Sequence, residues 1–242
     1  MKLKNLFLPE SINDSGIFKA IFIVGLPGSG KSYTAKRLMG TIRPVIVNTD
    51  RAAEYIGKKK DIFISKFTWD VLEDDALRIT EATLFGYLNG MLPLFIDGTS
   101  NSASRIMHRM GILESLGYDI GIIHVKTSLE TAIERSKERT FKVGRDVDED
   151  FIKHVHAESE DNINFLRSRV EFFKDVNNEY GELTDVAMLK LFKASQSFFS
   201  KEIANPIGQR SVAALKEAKQ KYLSPALIED KQLKNLIRGW YK

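Results

Sequence analysis

Eight consecutive residues, Gly25-Leu26-Pro27-Gly28-Ser29-Gly30-Lys31-Ser32, carry the types and the spacing needed to hold a polyphosphate. They fit the pattern G-x-x-x-x-G-K-[ST], with Gly25 and Gly30 at the ends of the variable run and Lys31 and Ser32 closing it. Glycines let the backbone curl until successive N–H groups point inward at phosphate oxygens, and a helix starting near Lys31 adds the positive end of its dipole. In such a loop the lysine reaches the β- and γ-phosphates and the serine hydroxyl ligates Mg²⁺. The residues expected to touch the nucleotide are Gly25, Pro27, Gly28, Ser29, Gly30, Lys31, Ser32 and Tyr33.

The elements around the loop are the ones it requires. Ala20-Ile21-Phe22-Ile23-Val24 is an apolar run that reads as a strand, and Ser32 to Met39 reads as a helix ending at Gly40. A plain Gly-rich turn has no need of both. A second buried strand over Arg43 to Asn48 ends in Asn48-Thr49-Asp50-Arg51, and a third over Leu92 to Ile96 delivers Asp97-Gly98-Thr99-Ser100-Asn101 to the same edge. Ligands bind at the carboxyl edge of open α/β sheets, so Asp50 and Asp97 are candidates for chemistry.

Between these strands the pattern predicts a solvated loop over 51–67, containing Lys58-Lys59-Lys60, and a helix from Asp70 to Leu88. Ser102 or Ser104 caps a helix that runs to Leu116 and stops at Gly117. Tyr118 to Val125 is a fourth strand. Ser128 caps the next helix through the spacing Ser128-x-x-Thr131, and this helix carries Arg135 and Arg139 on one face. Asp148 or Asp150 begins a long helical segment reaching about Asn177. Strands alternating with helices predict a three-layer α/β domain with a mostly parallel sheet.

From Glu182 no strand is legible. Leu183–Lys201, Ser211–Tyr222 and Ala226–Tyr241 read as three helices, broken by Asn205-Pro206-Ile207-Gly208 and Ser224-Pro225, with Trp240 and Tyr241 docking the last. From Leu183 to Lys242 there are eleven Lys or Arg against five Asp or Glu, so this small all-helical C-terminal module is basic while the rest is slightly acidic. A basic module can bind nucleic acid; a solvated helical surface has the same composition.

Composition narrows the chemistry. There is no cysteine among the 242 residues, which excludes disulfides, thiolate nucleophiles and cysteine-ligated metal. His108, His124, His154 and His156 have no partners at a metal-ligand spacing and read as structural or surface residues. No run approaches the ~20 apolar residues that span a bilayer, and Asn5 and Pro9 interrupt the N-terminal apolar stretch too early for a signal peptide. The expected location is the cytoplasm, with no membrane partner.

The order of phosphate loop, strand-end Asp50, Asp97-Gly98-Thr99-Ser100-Asn101 and Arg135-x-x-x-Arg139 resembles the P-loop kinases grouped around phage polynucleotide kinase and the zeta toxins. The likeness covers about Ile21 to His156, and Glu134-Arg135-Ser136-Lys137-Glu138-Arg139-Thr140-Phe141-Lys142-Val143 looks like their arginine-bearing lid. The resemblance implies an ATP- and Mg²⁺-dependent phosphotransferase. In it Asp50 is the general base for the acceptor hydroxyl, Lys31, Arg135 and Arg139 are catalytic cations, and Ser32 and Asp97 serve the metal. Asp50, Arg51, Thr99 and Asn101 then face the acceptor, with Arg145 a spare lid cation. With the change of pattern at Glu182, the chain is expected to divide into a lead-in (1–19), a kinase domain (20–181, lid about 139–150) and the helical module (182–242).

One position departs from the pattern. The polynucleotide kinases typically place a phosphate-gripping arginine three residues after the catalytic Asp, and here that residue is Ala53, with Arg51 or Arg43 the nearest substitutes. The favoured acceptor is a polynucleotide 5′-hydroxyl. A nucleoside, nucleotide or nucleotide sugar is the second expectation, and an ATP-binding assembly protein, engaging a protein partner through its C-terminal helices, the third.

Overall fold

The structure is a computed structural model that describes residues 15–99, 102–143, 146–179 and 184–222. Five strands, β1 (Lys19–Gly25), β2 (Val45–Val47), β3 (Leu94–Thr99), β4 (Asp119–Lys126) and β5 (Phe172–Asn177), form one parallel sheet in the order β2-β3-β1-β4-β5. The helices are α1 (Lys31–Arg37), α2 (Thr49–Lys60), α3 (Lys66–Asn89), α4 (Ala103–Ser115), α5 (Leu129–Val143), α6 (Glu149–Arg167), α7 (Asp185–Ser200) and α8 (Pro206–Tyr222).

All seven residues of β1 are buried, as its central place requires. Successive side chains point to opposite faces of a strand, so β1 serves two cores. Ala20, Phe22 and Val24 pack with Ile106, Met110 and Leu113 of α4, Ile163 and Leu166 of α6, and the partly buried Leu84 and Leu88 of α3. Ile21 and Ile23 face Ala35 of α1 and Met188, Leu191 and Phe199 of α7. Burying side chains of this size contributes about 1.5–3 kcal/mol each. The outcome is the three-layer α/β architecture expected from the alternation of elements.

Two segments take another element type than the sequence reading gave them. The stretch 51–67 is not a loop over most of its length: α2 occupies it to Lys60. Asn48 caps this helix by accepting from the Arg51 N–H at 3.2 Å, and Ala53 and Ile56 pack on Ile64, Leu72 and Ala76 beside α3. The lysine run is its last turn, where cations suit the helix dipole. The long helix expected to reach Asn177 ends instead at Arg167, and Phe172–Asn177 pairs with β4 as β5. This edge strand exposes Lys174 and Asp175, a common guard against edge pairing, and no Gly or Pro marks its start.

The first helix of the C-terminal segment, α7, lies in the sheet core through Met188, Leu191 and Phe199. Proline opens α8 at Pro206, a favoured first helical position, so this helix starts earlier than Ser211. Gly208 lies so close to Gly117, itself at φ +99°, that a Cβ on Gly117 would approach the Gly208 nitrogen to 2.7 Å. The third expected helix, with Trp240 and Tyr241, lies outside the described residues, as does most of the lead-in. No helix among the described residues is long and apolar enough to cross a membrane.

Candidate active site

The loop between β1 and α1 has the shape its sequence demands. Gly28 and Gly30 have φ of +83° and +90°, a region that side chains with a Cβ rarely enter. A Cβ on Gly28 would run into the backbone oxygen of Ala132 on α5, and one on Gly30 into the Asn178 side chain. The Ser29 N–H donates to Leu26 O at 3.1 Å, closing the turn, and Asn178 Nδ2 donates to Ser29 O at 2.7 Å from behind. Lys31 curls over the loop, its Nζ donating to Leu26 O at 2.8 Å and Gly25 O at 3.1 Å. Tyr33 points outward to Arg37, which donates to its hydroxyl at 3.1 Å, and is 38% exposed. Pro27 lies in the turn itself, half-buried.

Parallel pairing brings β3 to the mouth of this loop, with Ile23 opposite Asp97 and Gly25 opposite Thr99. Asp97 Oδ2 accepts from Ser32 Oγ at 2.7 Å and from Asn48 Nδ2 at 2.6 Å. Asn48 thus does two things: its oxygen caps α2 and its nitrogen fixes the Asp97 carboxylate. Asp50 follows in the first turn of α2, after a strand that ends at Val47 rather than at Asn48. Arg51 is half-buried beside it. Asn101 and Arg145 lie outside the described residues.

The two arginines of α5 diverge. Arg135 Nη2 donates to Glu179 O at 3.3 Å, while its Nη1 is buried with no partner among the described residues. Arg139 forms an ion pair with Glu54 of α2. The Glu179 carboxylate in turn accepts from the Ser128 N–H and from the hydroxyls of Thr131, at 2.9 Å, and Thr127, at 3.5 Å. These bonds, those from Ser128 foremost, hold its carboxyl below the ordinary glutamate range. Ser128 also caps α5 as expected, accepting from Thr131 N–H at 3.2 Å.

Asn48, Glu54, Asn178 and Glu179 are site residues that sequence reasoning missed. The last two follow β5, whose strand was hidden, and Glu54 lies on α2, read as a loop; only Asn48 had a visible signal, at the end of a strand beside Asp50. Among the described residues no group of three or more His, Cys, Asp or Glu is placed to hold a metal. His124 does gain an acidic neighbour that linear spacing could not show, Asp175 at 3.0 Å across the β4–β5 pair.

The donor set suits a magnesium nucleotide. Ser32 and Asp97 offer hard oxygen donors at the loop mouth, and Mg²⁺ takes few protein ligands and keeps several waters. The glycine cradle has room only for backbone, and the orphaned Ser29 Oγ and Arg135 Nη1 lie in and beside it. Buried polar atoms without partners are uncommon in finished protein interiors.

Residues 21–163, more than half of the chain, match the AAA domain family, and the chain belongs to it. The fold is the kinase-like P-loop fold. It is similar to a structure described as a putative kinase from Chloroflexus aurantiacus, at 17% identity and TM-score 0.54, over 75% of this chain and 98% of that one. It is likewise similar to a structure from the PezAT chromosomal toxin–antitoxin system of the human pathogen Streptococcus pneumoniae, at 17% identity and TM-score 0.53, covering 76% of this chain and 89% of that one. No curated protein sequence matches the chain.

Proposed function

We propose that this protein is an ATP- and Mg²⁺-dependent kinase of the phage polynucleotide kinase and zeta-toxin group, moving the γ-phosphate of ATP to an alcohol. The observation that carries the reading is the hydrogen-bonded set Ser32–Asp97–Asn48, which joins the phosphate loop to the start of the helix bearing Asp50. A pure nucleotide-binding protein has no need of a carboxylate beyond the γ-phosphate.

Backbone N–H groups of Gly28, Gly30 and Lys31 and the Lys31 ammonium hold the β- and γ-phosphates. Lys31 leaves the carbonyls of Gly25 and Leu26 to do so. Asp50 accepts the proton of the acceptor hydroxyl as its oxygen bonds to the γ-phosphorus and the bond to the β,γ-bridging oxygen breaks, releasing ADP. Arg135 and Arg139 neutralise charge on the transferred group. Ser32, with Asp97 hydrogen-bonded behind it, would hold Mg²⁺, which would supply neutralisation of phosphate charge.

Two acceptor classes fit this chemistry. A polynucleotide 5′-hydroxyl agrees with the basic segment 182–242, whose α7 and α8 expose Lys190, Lys193, Arg210 and Lys216 and would hold a strand in a salt-sensitive way. A small hydroxyl compound agrees with the absence of a phosphate-gripping arginine at Ala53. The proposed setting is the cytoplasm, where ATP is available. The test follows labelled γ-phosphate into 5′-hydroxyl oligonucleotides, nucleosides, nucleotides and UDP-sugars, with Asp50→Asn as control. Label transferred by the wild type and lost in the control is expected; bound ATP with no transfer to any acceptor would overturn the kinase reading.

A further inference from the structure

One side of α2 carries cations that no acidic group among the described residues answers: Arg51, Lys58 and Lys59. Positions 51, 55 and 58 recur at i, i+4 and i+7 and so share a face of the helix, while Ala53, Ile56 and Gly57 are buried on the other. Arg51 is half-buried, and Tyr55, Lys58 and Lys59 are exposed. Lys59 Nζ lies 4.9 Å from the centre of the Tyr55 ring, a residue that stays 56% exposed. The last lysine of the run is different, since Lys60 donates to Asp75 at 3.2 Å. The helix dipole accounts for lysines in the last turn, but it disfavours a cation in the first, where Arg51 follows Asp50. Nor does it account for a large ring left in water between Arg51 and Lys58.

The stripe begins beside Asp50 and runs away from the phosphate loop along the helix. Seven residues of helix advance about 10 Å and a stacked strand rises about 3.4 Å per nucleotide, so Arg51 to Lys58 spans about three nucleotides. Cations at intervals suit the phosphates of a strand, and an exposed aromatic face between them suits a base that has left its stack. A duplex offers the phosphates but not the open base. We propose that this side of α2 is the track of a single-stranded nucleic acid whose 5′ end enters the site, with Arg51 at the phosphate nearest the reacting hydroxyl, Tyr55 stacking a base, and Lys58 and Lys59 at phosphates further along. This rests on the kinase reading and names its acceptor, a single strand.

The test measures binding of 5′-hydroxyl DNA oligonucleotides of increasing length, dye-labelled at the 3′ end, by fluorescence anisotropy over a range of salt, and follows phosphate transfer to the same oligonucleotides and to a nucleoside. The proteins are the wild type, Tyr55→Ala, Tyr55→Phe, Lys58→Ser combined with Lys59→Ser, and a matched loss of two exposed cations elsewhere, Arg169→Ser combined with Lys174→Ser. Tyr55→Ala should weaken binding about tenfold and Tyr55→Phe should restore it, since the ring and not the hydroxyl stacks. Loss of Lys58 and Lys59 should reduce the slope of log affinity against log salt by about 1.4, the share of two phosphate contacts on a single strand, while the matched control keeps the wild-type slope. If Tyr55→Ala binds like the wild type, if the control loses as much as the α2 pair, or if poly-glutamate displaces the oligonucleotide at equal charge, the face reads charge alone and the inference is overturned. Transfer to the nucleoside by a wild type that ignores oligonucleotides would overturn it too, with the kinase reading intact. Oligonucleotides bound along α2 with no transfer to any acceptor would overturn the kinase reading, and with it the place of the 5′ end in the site.

Discussion

At the amino end of β1, the Lys19 ammonium donates to Asp119 at 2.6 Å and to Glu202 O at 2.9 Å, with only 3% of its side chain exposed. Asp119 also accepts from the N–H groups of Ala204 and Asn205 at 2.8 and 2.7 Å, so the charge pair is closed on every side and ties the sheet to the α7–α8 connection. At the carboxyl end of the same strand, the buried atoms Ser29 Oγ, Thr34 Oγ1, Asn178 Oδ1 and Arg135 Nη1 have no partner among the described residues. Both ends bury polar groups, which is costly unless they are paired. One end is complete in the protein alone; the other has hydrogen-bonding capacity left for a ligand. A satisfied buried network marks structure, and an unsatisfied one marks function.

This contrast makes distinct predictions for substitutions at the two ends. Asp50→Asn should lower kcat by roughly 10³, the scale of a lost general base, while ATP affinity and the unfolding midpoint stay put. Lys19→Met leaves Asp119 without its buried cation and should cost about 3–5 kcal/mol in denaturant unfolding, with kcat and the KM for ATP unchanged in the folded fraction. Equal losses of activity and stability in either protein would erase the distinction.

Asn178→Ala tests the boundary, because its side chain is satisfied on one atom and orphaned on the other. It should cost about 1–2 kcal/mol of stability through the lost bond to Ser29 O and also raise the KM for ATP severalfold, a mixed phenotype seen by unfolding and kinetics together.

The smallest effect concerns His124, which sits opposite Val24 at the level of the loop but is paired with Asp175. Burial pushes its imidazole below the ordinary histidine range, and the hydrogen bond to Asp175 only partly opposes this. The folded protein then takes up the proton less readily than the unfolded chain, so this contribution to stability is complete above about pH 6.5 and declines as pH falls through that value. His124→Asn should flatten the acid limb of the stability profile without changing the KM for ATP. A change in that KM would attach His124 to the open end.

Much of the site was legible because its physics is local. The glycines of the loop, the Lys31-Ser32 pair and the Ser128 cap declare themselves within a few residues, and the places of Asp50, in the first turn after β2, and of Asp97, in the last half of β3, are close to where the apolar runs put them. What was not legible depends on contacts between distant segments. The strand β5 has an exposed edge and no breaker before it, so its Phe172 and Phe173 read as one more helical turn. Hidden with it were Asn178 and Glu179, which brace the loop and α5 from more than forty residues away. Glu54 was invisible for another reason: a run of three lysines masked the helix that aims it.

The bracing has a consequence for how the protein is made. β1 pairs with β3 and β4, whose first partners for it are Leu94 and Asp119, and the loop behind it is buttressed by Asn178, 149 residues from Ser29. Contacts this distant in sequence form late, because long loops must close before they repay the entropy lost. On the ribosome, residues 25–32 emerge among the first parts of the sheet, yet Asn178, which braces them, is added 149 residues after Ser29. A nascent chain carries the motif long before it carries the site.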